Sequence, residues 1–566
     1  MTVWLEALPG FAAALVLLVL GGVPAAYVVG LRGVIGWGTA PLFAAFGIAV
    51  SATISGEAGW RWGVLPYLAG VALTTALAGT ARVLGGRWRS PRYIAGPSKR
   101  WLGWVVLGVA VVVVLVETRR RMVAIGDPGN ISQTFDNIFH LNSVAAILDS
   151  GNASTFRFNL WSTPGAFTFY PGLWHQVTTL VTMVTGAGIP VAANAVTLGV
   201  ALVVWPLSMA AFARTVFGPR PLLLAAAAVL PFSLVQFPLL LETFGVLYPN
   251  LYSYALVPGM LALVVCASRY AVGRRRLAPL LAAGAGAVAL TVAQPNGLIA
   301  ATVTAIPLAA WQIARRARSA WRRRRRSTAV AMWVTAVTVA VVVYVALGTI
   351  PMLSAFRDGS DHWGPVGTVL TAAREVVTLS AGRSPMLGQF QLAAPLAIGL
   401  PQYLLAALVA VGAVTALVVT RWRWLVVSYG LVAGLFVTAQ ALDHAGIRGV
   451  LTGYWYSDAV RLAALLPVFA VPLAALGVVT SAVACARLVR AVHERSVASI
   501  RRRSLRHPPA AVAVLLVAVV GLVVVVGLPR SATVRASHDV HGHEEVPAGG
   551  QVAVPTGGQK SPLVAM

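Results

Sequence analysis

The sequence predicts an all-α, polytopic membrane protein with about fourteen transmembrane helices, and three observations predict it. Of 566 residues, 58% are hydrophobic and only 10% charged, whereas soluble domains carry roughly 25% charged residues. Apolar runs long enough to cross a hydrocarbon layer of about 30 Å recur from end to end. Arginine clusters occupy alternate gaps between those runs, the pattern that orients membrane helices. A net charge of +27 would point to nucleic acid in a soluble chain. Here it is read as cytoplasmic loops facing lipid headgroups, so the lipid bilayer is the expected partner and no nucleic acid is expected.

The runs fall at roughly 8–30, 34–54, 64–84, 101–117, 189–213, 221–240, 251–271, 277–295, 298–314, 328–350, 395–419, 424–442, 459–486 and 509–528. The first cation is Arg32, after the first run, so that run is expected to stay as a span rather than leave as a signal peptide. Arg32, the Arg82–Arg100 set, Arg214 with Arg220, Arg269–Arg276, Arg315–Arg326, Arg421 with Arg423 and Arg487–Arg506 then share one side. The positive-inside rule makes that side cytoplasmic and both termini extracytoplasmic. Asp127, Asp136, Asp149, Glu242, Asp358, Asp361, Asp443 and Asp458 fall on the outer side. Arg119–Arg121 stand against the pattern, at the outer end of the fourth run, where phosphate headgroups would meet them. Cys266 and Cys485 both lie in apolar runs, so neither a disulfide framework nor a thiolate metal site is indicated. The expected organisation is a transmembrane domain over 1–529, with large extracytoplasmic loops at 118–188 and 351–394. A disordered extracytoplasmic tail is expected over 530–566, where HDVHGHEE (538–545) reads as solvated chain.

The first large loop is too apolar for disorder. Its 134–150 stretch reads as an amphipathic helix, with Phe135, Ile138, Phe139, Leu141, Ala145 and Leu148 on one stripe and Asp136, His140 and Ser143 on another. A second helical run at 171–186 opens on FTFYPGLWH, with Tyr170, Pro171, Trp174 and His175 at its start. Both helices are expected to lie along the outer interface. Asp136 and His140 at i, i+4 fit an ordinary polar face, and they equally fit a carboxylate base steered by an imidazole. Tyr170 and Trp174 suit an aromatic belt; His175 is explained by neither belt nor turn.

Further polar residues cluster at the outer helix boundaries. ETFGVLYPNLYSY (242–254) and AQPNG (293–297) each carry a Pro-Asn pair, placing Asn250 near Glu242 and Tyr248, and Asn296 after a span. Pro-Asn is turn chemistry, and both asparagines remain candidate substrate contacts. LDHAGIRG (442–449) leads into GYWYSDAVRLAALL (453–466), in which Asp458 can cap the next helix. Arg461 enters an apolar run one turn later, where an arginine needs an anion: Asp458 or a substrate phosphate. Arg157, His175 and His444 are further outer cations able to face a phosphate.

These residues fit one chemistry, transfer of a sugar carried on a polyprenyl phosphate. The donor lives in lipid, the acceptor hydroxyl needs a base, and the leaving phosphate needs cations rather than a proton. No Gly-rich phosphate loop appears on a cytoplasmic segment, so no nucleotide-sugar site is indicated. With an external Asp on a short helix of the first outer loop, followed by YPGLWH, the chain resembles the GT-C class of membrane glycosyltransferases. Within that class DNIFHLNSVAAILDSG, FYPGLWH and LTGYWYSDAVRLAALLPV resemble a family of large actinobacterial membrane proteins. The resemblance covers about 118–300 and 440–470, with a single Asp136 where many members carry an acidic pair. It implies Asp136 as catalytic base beside His140, and a bacterial plasma membrane location with the active site extracytoplasmic. It also implies a polyprenyl-phosphate-linked sugar as donor and a cell-envelope glycan or glycolipid as acceptor. Tyr170, His175, Glu242, Asn250, Asn296, His444, Asp458 and Arg461 are the expected substrate contacts. No cofactor is indicated, and a divalent cation stays open.

Two other functions stay open at this point. A transporter or flippase of lipid-linked glycans would place charges at mid-span or show repeated halves. A glycan polymerase or ligase would rely on the second outer loop, with GRSPMLGQF (382–390), Asp358, Asp361 and His362 as candidates.

Overall fold

The structure is a computed structural model that describes residues 2–86, 88–90, 100–134, 136–158, 168–270, 273–349, 364–382, 401–443 and 447–497. The expected last span (509–528), the tail from 530, His444, and Asp358, Asp361 and His362 lie outside the described residues.

Among the described residues the architecture is helical throughout, without a strand; a single bridge pairs Arg157 with Thr168. Nine described helices are long and apolar enough to cross a membrane: Leu8–Val29, Gly33–Glu57, Val64–Gly85, Ile189–Phe217, Tyr248–Tyr270, Gly273–Ala293, Pro295–Arg322, Thr420–Ala441 and Ala459–Leu488. In hydrocarbon every backbone N–H and C=O must be satisfied within the segment, and only the helix does this for a single run. Pro190, Pro249 and Pro295 enter in first turns, which have no N–H bond to lose, while Pro41, Pro258, Pro307 and Pro472 lie inside helices.

Gly33–Glu57, Ile189–Phe217, Tyr248–Tyr270 and Ala459–Leu488 are the most buried of the nine, and Val64–Gly85 and Pro295–Arg322 the most peripheral. Gly33–Glu57, Ile189–Phe217 and Tyr248–Tyr270 pack on one another, with Gly38 against the Leu207 carbonyl. The closest crossing is that of Tyr403–Val418 with Pro467–Val497, where a side chain on Gly412 would strike the Leu473 carbonyl and one on Gly477 the Leu408 carbonyl. Small residues let helix backbones meet where apolar burial gives no net drive against lipid. Gly412→Val is expected to lower the thermal unfolding midpoint in detergent, because overpacking costs about 1–3 kcal/mol. Gly430→Val, which meets nothing within 4 Å, serves as the control and should leave the midpoint unchanged.

Several predicted spans differ in form. The run at 221–240 is cut: the Pro221–Phe232 helix ends in a tight turn at Leu230–Phe232, with Pro231 inside it, and Leu239–Thr243 follows Pro238 as a separate short helix. At about 1.5 Å per residue Pro221–Phe232 reaches only about 18 Å, short of a bilayer core of about 30 Å. The described part of the eleventh run holds the helix Tyr403–Val418; residues 395–400 of that run lie outside the described residues. Helices Arg100–Ile125 and Arg326–Thr349 occupy the fourth and tenth runs. The first of these continues beyond 117, so Arg119–Arg121 are helical. Arg120 pairs with Glu117 at 2.7 Å and Arg121 with Glu242. Carboxylates pair with two of the three.

Candidate functional site

The site grows from the first large loop. Its first helix is Asn137–Ser150, closed by Gly151 in the left-handed region at φ 71°. Asn137, His140, Ser143, Val144 and Ile147 are buried, while Ile138 is 68% exposed. The stripe carrying His140 and Ser143 therefore faces protein and Ile138 faces out. The buried face is mixed: Val144 and Ile147 share it with the polar residues, Leu141 and Leu148 pack against the core, and Asn142, Asp149 and Ser150 are exposed beside Ile138. An outward apolar side chain suits lipid, and an inward polar stripe needs partners in the interior.

His140 finds one. Its Nδ1 lies 3.0 Å from Nε2 of His175, so the imidazole is engaged by a second imidazole. A further hydrogen bond joins His140 to the Val246 backbone. His175 stands near the start of the Leu173–Thr185 helix, whose residues 173–181 are all buried. That helix is enclosed by Leu8–Leu18, Gly33–Glu57, Asn137–Ser150, Ile189–Gly199 and Tyr248–Val265. It is thus an interior element and not the interfacial helix expected from its aromatic start. The reason is its composition: no charged residue falls between 173 and 185, so nothing holds a face in water.

Trp174 stacks on Tyr248 with ring centroids 4.4 Å apart and planes 13° apart, and Tyr248 lies 5.2 Å from the His140 ring. Gln176 donates to the Ala153 carbonyl at 2.9 Å, and the Trp62 indole N–H donates to the Gln176 carbonyl at 3.2 Å. The imidazoles thus sit in a rigid aromatic wall. Burial pushes His140 down to about 3 and, with His140 beside it, drives His175 well below the ordinary imidazole range. Both are therefore neutral at physiological pH. Unfolded, each would take a proton near pH 6.5, so the folded state binds fewer protons below that value. Stability contributed by the pair is whole above about pH 6.5 and is expected to fall as pH drops towards about 3. Unfolding midpoints in detergent across that window check this; a His140→Leu/His175→Leu variant should flatten the limb.

Asp136 occupies the N-cap position of Asn137–Ser150 but makes no capping bond to the helix, which leaves its carboxylate to other partners. It is half-buried. Burial raises its proton affinity and the Arg461 guanidinium opposes the rise. Tyr170 completes this corner. Its phenol is pushed upward by burial and by the charges of Asp136 and Tyr456, against Arg461. It stacks on Phe158 at 4.8 Å and lies 5.7 Å from the His175 ring. Two bonds fix it: its N–H donates to the Thr155 carbonyl at 2.9 Å, and the Thr155 hydroxyl donates to its carbonyl at 3.0 Å.

Arg461 arrives from the far end of the sequence. Asp458 caps the Ala459–Ala463 helix, accepting from the Val460 N–H at 2.8 Å, as the sequence predicts. Its other oxygen lies 3.2 Å from Arg461 Nε, an ion pair without an aligned hydrogen bond. Burial raises Asp458 and Arg461 draws it back down. The Arg461 guanidinium sits 4.3 Å over the Tyr456 ring. Its Nε and Nη1 atoms, and Nη1 of Arg448, are buried without hydrogen-bond partners.

The turn before that helix is strained. Tyr456 and Ser457, neither a glycine, both adopt left-handed backbone at φ 58° and 48°, which costs about 1–2 kcal/mol each. Arg448, fully buried, braces the turn: its Nε donates to the Ala439 carbonyl and its Nη2 to the Ser457 carbonyl, each at 3.0 Å. Arg448 was not among the expected site residues. Its only signal is a cation beside Gly449, a few residues after Asp443 and His444 in the same loop.

The remaining expected contacts divide. Asn250 accepts from Gln294 Nε2 at 3.3 Å, forming a buried amide pair, and Asn296 Nδ2 is buried without a partner. Tyr254 reaches towards Asn250 without an aligned bond, and it lies within electrostatic reach of Arg461 and Asp458. Glu242 pairs with Arg121 through Oε2, a tie between helices, while its Oε1 is buried without a hydrogen-bond partner. Arg157 is likewise taken by Glu57 at 3.1 Å. Among the described residues no group of three or more His, Cys, Asp or Glu side chains is placed to hold a metal ion.

Fold and cluster together define an all-helical membrane protein that gathers acids, imidazoles and a guanidinium at one end of its helix bundle. The chain belongs to a family of unknown function, DUF6541, whose model matches residues 15–555. No curated protein and no solved structure matches it.

Proposed function

We propose that this chain is a membrane glycosyltransferase of GT-C type. It moves a sugar from a polyprenyl phosphate to a cell-envelope acceptor on the extracytoplasmic face of a bacterial plasma membrane. On this reading the chain has about fourteen spans, both termini lie outside, and Asp136 is the general base. The supporting observation is the Asp136 corner: a half-buried carboxylate with raised proton affinity, opposed by an arginine whose Nε and Nη1 lack hydrogen-bond partners.

In the reaction the acceptor O–H gives its proton to the Asp136 carboxylate as its oxygen bonds to the anomeric carbon. The bond from that carbon to the phosphate oxygen breaks, with inversion, and the electron pair leaves on the polyprenyl phosphate. Arg461 faces the charge that develops on that phosphate and exchanges part of its pairing with Asp458 for it. A raised carboxyl pKa makes Asp136 a stronger base, active only above that pKa. Transfer is therefore expected to fall on the acid side at a pH above the ordinary carboxylate range. The amides of Asn250 and Asn296 are neutral groups suited to sugar hydroxyls. Membranes from cells lacking the chain are expected to accumulate polyprenyl-phosphate sugars and to carry truncated envelope glycans. Unchanged lipid-linked pools and glycans would overturn the proposal.

A further inference from the structure

The end of the bundle remote from Asp136 carries a second built cluster. Tyr248 lies against the aromatic wall of the site, and Arg269 and Tyr270 close the other end of the same helix, about 33 Å away at about 1.5 Å per residue. There Arg269 donates from Nη1 to the Val216 carbonyl at 2.8 Å and from Nη2 to the Arg421 carbonyl at 3.1 Å. Its guanidinium lies 6.0 Å from the Trp311 ring centre and that of Arg315 lies 5.2 Å from it. Arg421 and Arg220 lie 4.7 and 5.2 Å from the ring centre of Trp422, whose indole is 4% exposed. The Tyr270 hydroxyl donates to the Thr215 carbonyl at 2.8 Å, fixing the helix ends to each other.

Three separate helices and one connecting segment therefore converge four guanidinium groups on two tryptophans. Arg269 is within electrostatic reach of both Arg421 and Arg315, and Arg220 of Arg421. Like charges this close repel, more strongly where water is scarce. Among the described residues no carboxylate pairs with any of the four. Backbone carbonyls and ring faces orient the groups but leave their charge uncompensated. Guanidinium forks match phosphate oxygens two at a time, and tryptophan rings at a helix end are at home at headgroup depth.

We propose that Arg220, Arg269, Arg315 and Arg421, held by Trp311 and Trp422, form a binding site for the phosphate of an anionic phospholipid headgroup. The membrane lipid is favoured over a soluble phosphate because the cluster sits at the ends of spanning helices, where lipid presents that group at high local concentration. The site is independent of the glycosyltransferase reading, and it stands or falls on its own binding data.

The test is native mass spectrometry of the full chain released from detergent after exposure to phosphatidylglycerol or phosphatidylcholine. Wild-type protein should retain phosphatidylglycerol in preference. An Arg269→Gln/Arg421→Gln variant should lose that retention about tenfold or more, while Arg61→Gln, near Gly151 at the other end of the bundle, should keep it. Arg421 is exposed, so Arg421→Gln alone preserves the readout should the double variant misfold; a several-fold loss is expected. Equal retention of the two lipids by wild-type protein, or equal retention by wild-type and Arg421→Gln, would overturn the site. Inorganic phosphate displacing the lipid at micromolar concentration would overturn its assignment to a headgroup.

Discussion

Asp136→Asn is expected to lower sugar transfer by about 10²–10⁴-fold, the range general-base removal usually costs, while the protein still inserts and accumulates normally. The amide keeps the shape of the carboxylate and cannot accept the acceptor's proton. Asp136 makes no capping bond in the structure, so the helix that follows it loses no hydrogen bond to the replacement. The measurement is transfer from a labelled polyprenyl-phosphate sugar by membranes carrying each variant, with abundance read on the same membranes. Asp136→Glu is expected to recover part of the rate, because it restores the charge at a shifted position. Undiminished transfer by Asp136→Asn would remove the base and with it the proposed reaction.

Arg461→Ala should have the next largest effect, and it acts on two quantities. It removes the guanidinium expected at the leaving phosphate, so KM for the lipid donor should rise by about 10–100-fold, or about 1.5–3 kcal/mol, the strength of a charge-assisted bond. It also leaves Asp458 buried without its cation, a change that typically destabilises by about 3–5 kcal/mol. Arg461→Ala/Asp458→Asn separates the two: stability should largely return and donor use should not. A third readout follows from the electrostatics. Arg461 is the charge that opposes the burial-driven rise in Asp136. Its loss should move the acid limb of the rate profile to higher pH. An unchanged donor KM in the double variant would reduce Arg461 to a structural partner of Asp458.

Local patterns in the sequence were good guides to local structure. Continuous apolar runs anticipated the helices because hydrocarbon allows little else. The Ser-Asp-Ala-Val-Arg spacing anticipated both the Asp458 cap and its pairing with Arg461, since each spans less than one helical turn. What failed was long range. The partner of His140 lies thirty-five residues on, and no helical period links 140 to 175. Periodicity found the polar stripe of Asn137–Ser150 but not its burial, because the helices that cover His140 and Ser143 come from elsewhere in the chain. Arg448 was missed because its partners are backbone carbonyls of residues 439 and 457, which carry no side-chain signature. Glu242 and Arg121 look in sequence like an exposed acid and a stray base, and only the folding of Leu239–Thr243 against its surroundings brings them together.

The enclosure of Leu173–Thr185 bears on how the protein is made. Over its first half this segment has no side it can turn to lipid or solvent, and its neighbours come from chain synthesised both earlier and later. It cannot reach its final place while the ribosome is still producing Ile189–Gly199 and Tyr248–Val265. Its enclosure is therefore complete only after Tyr248–Val265 has been made. A translation product ending before Tyr248–Val265 would lack one wall of that enclosure, and the Tyr248 ring beside the imidazoles.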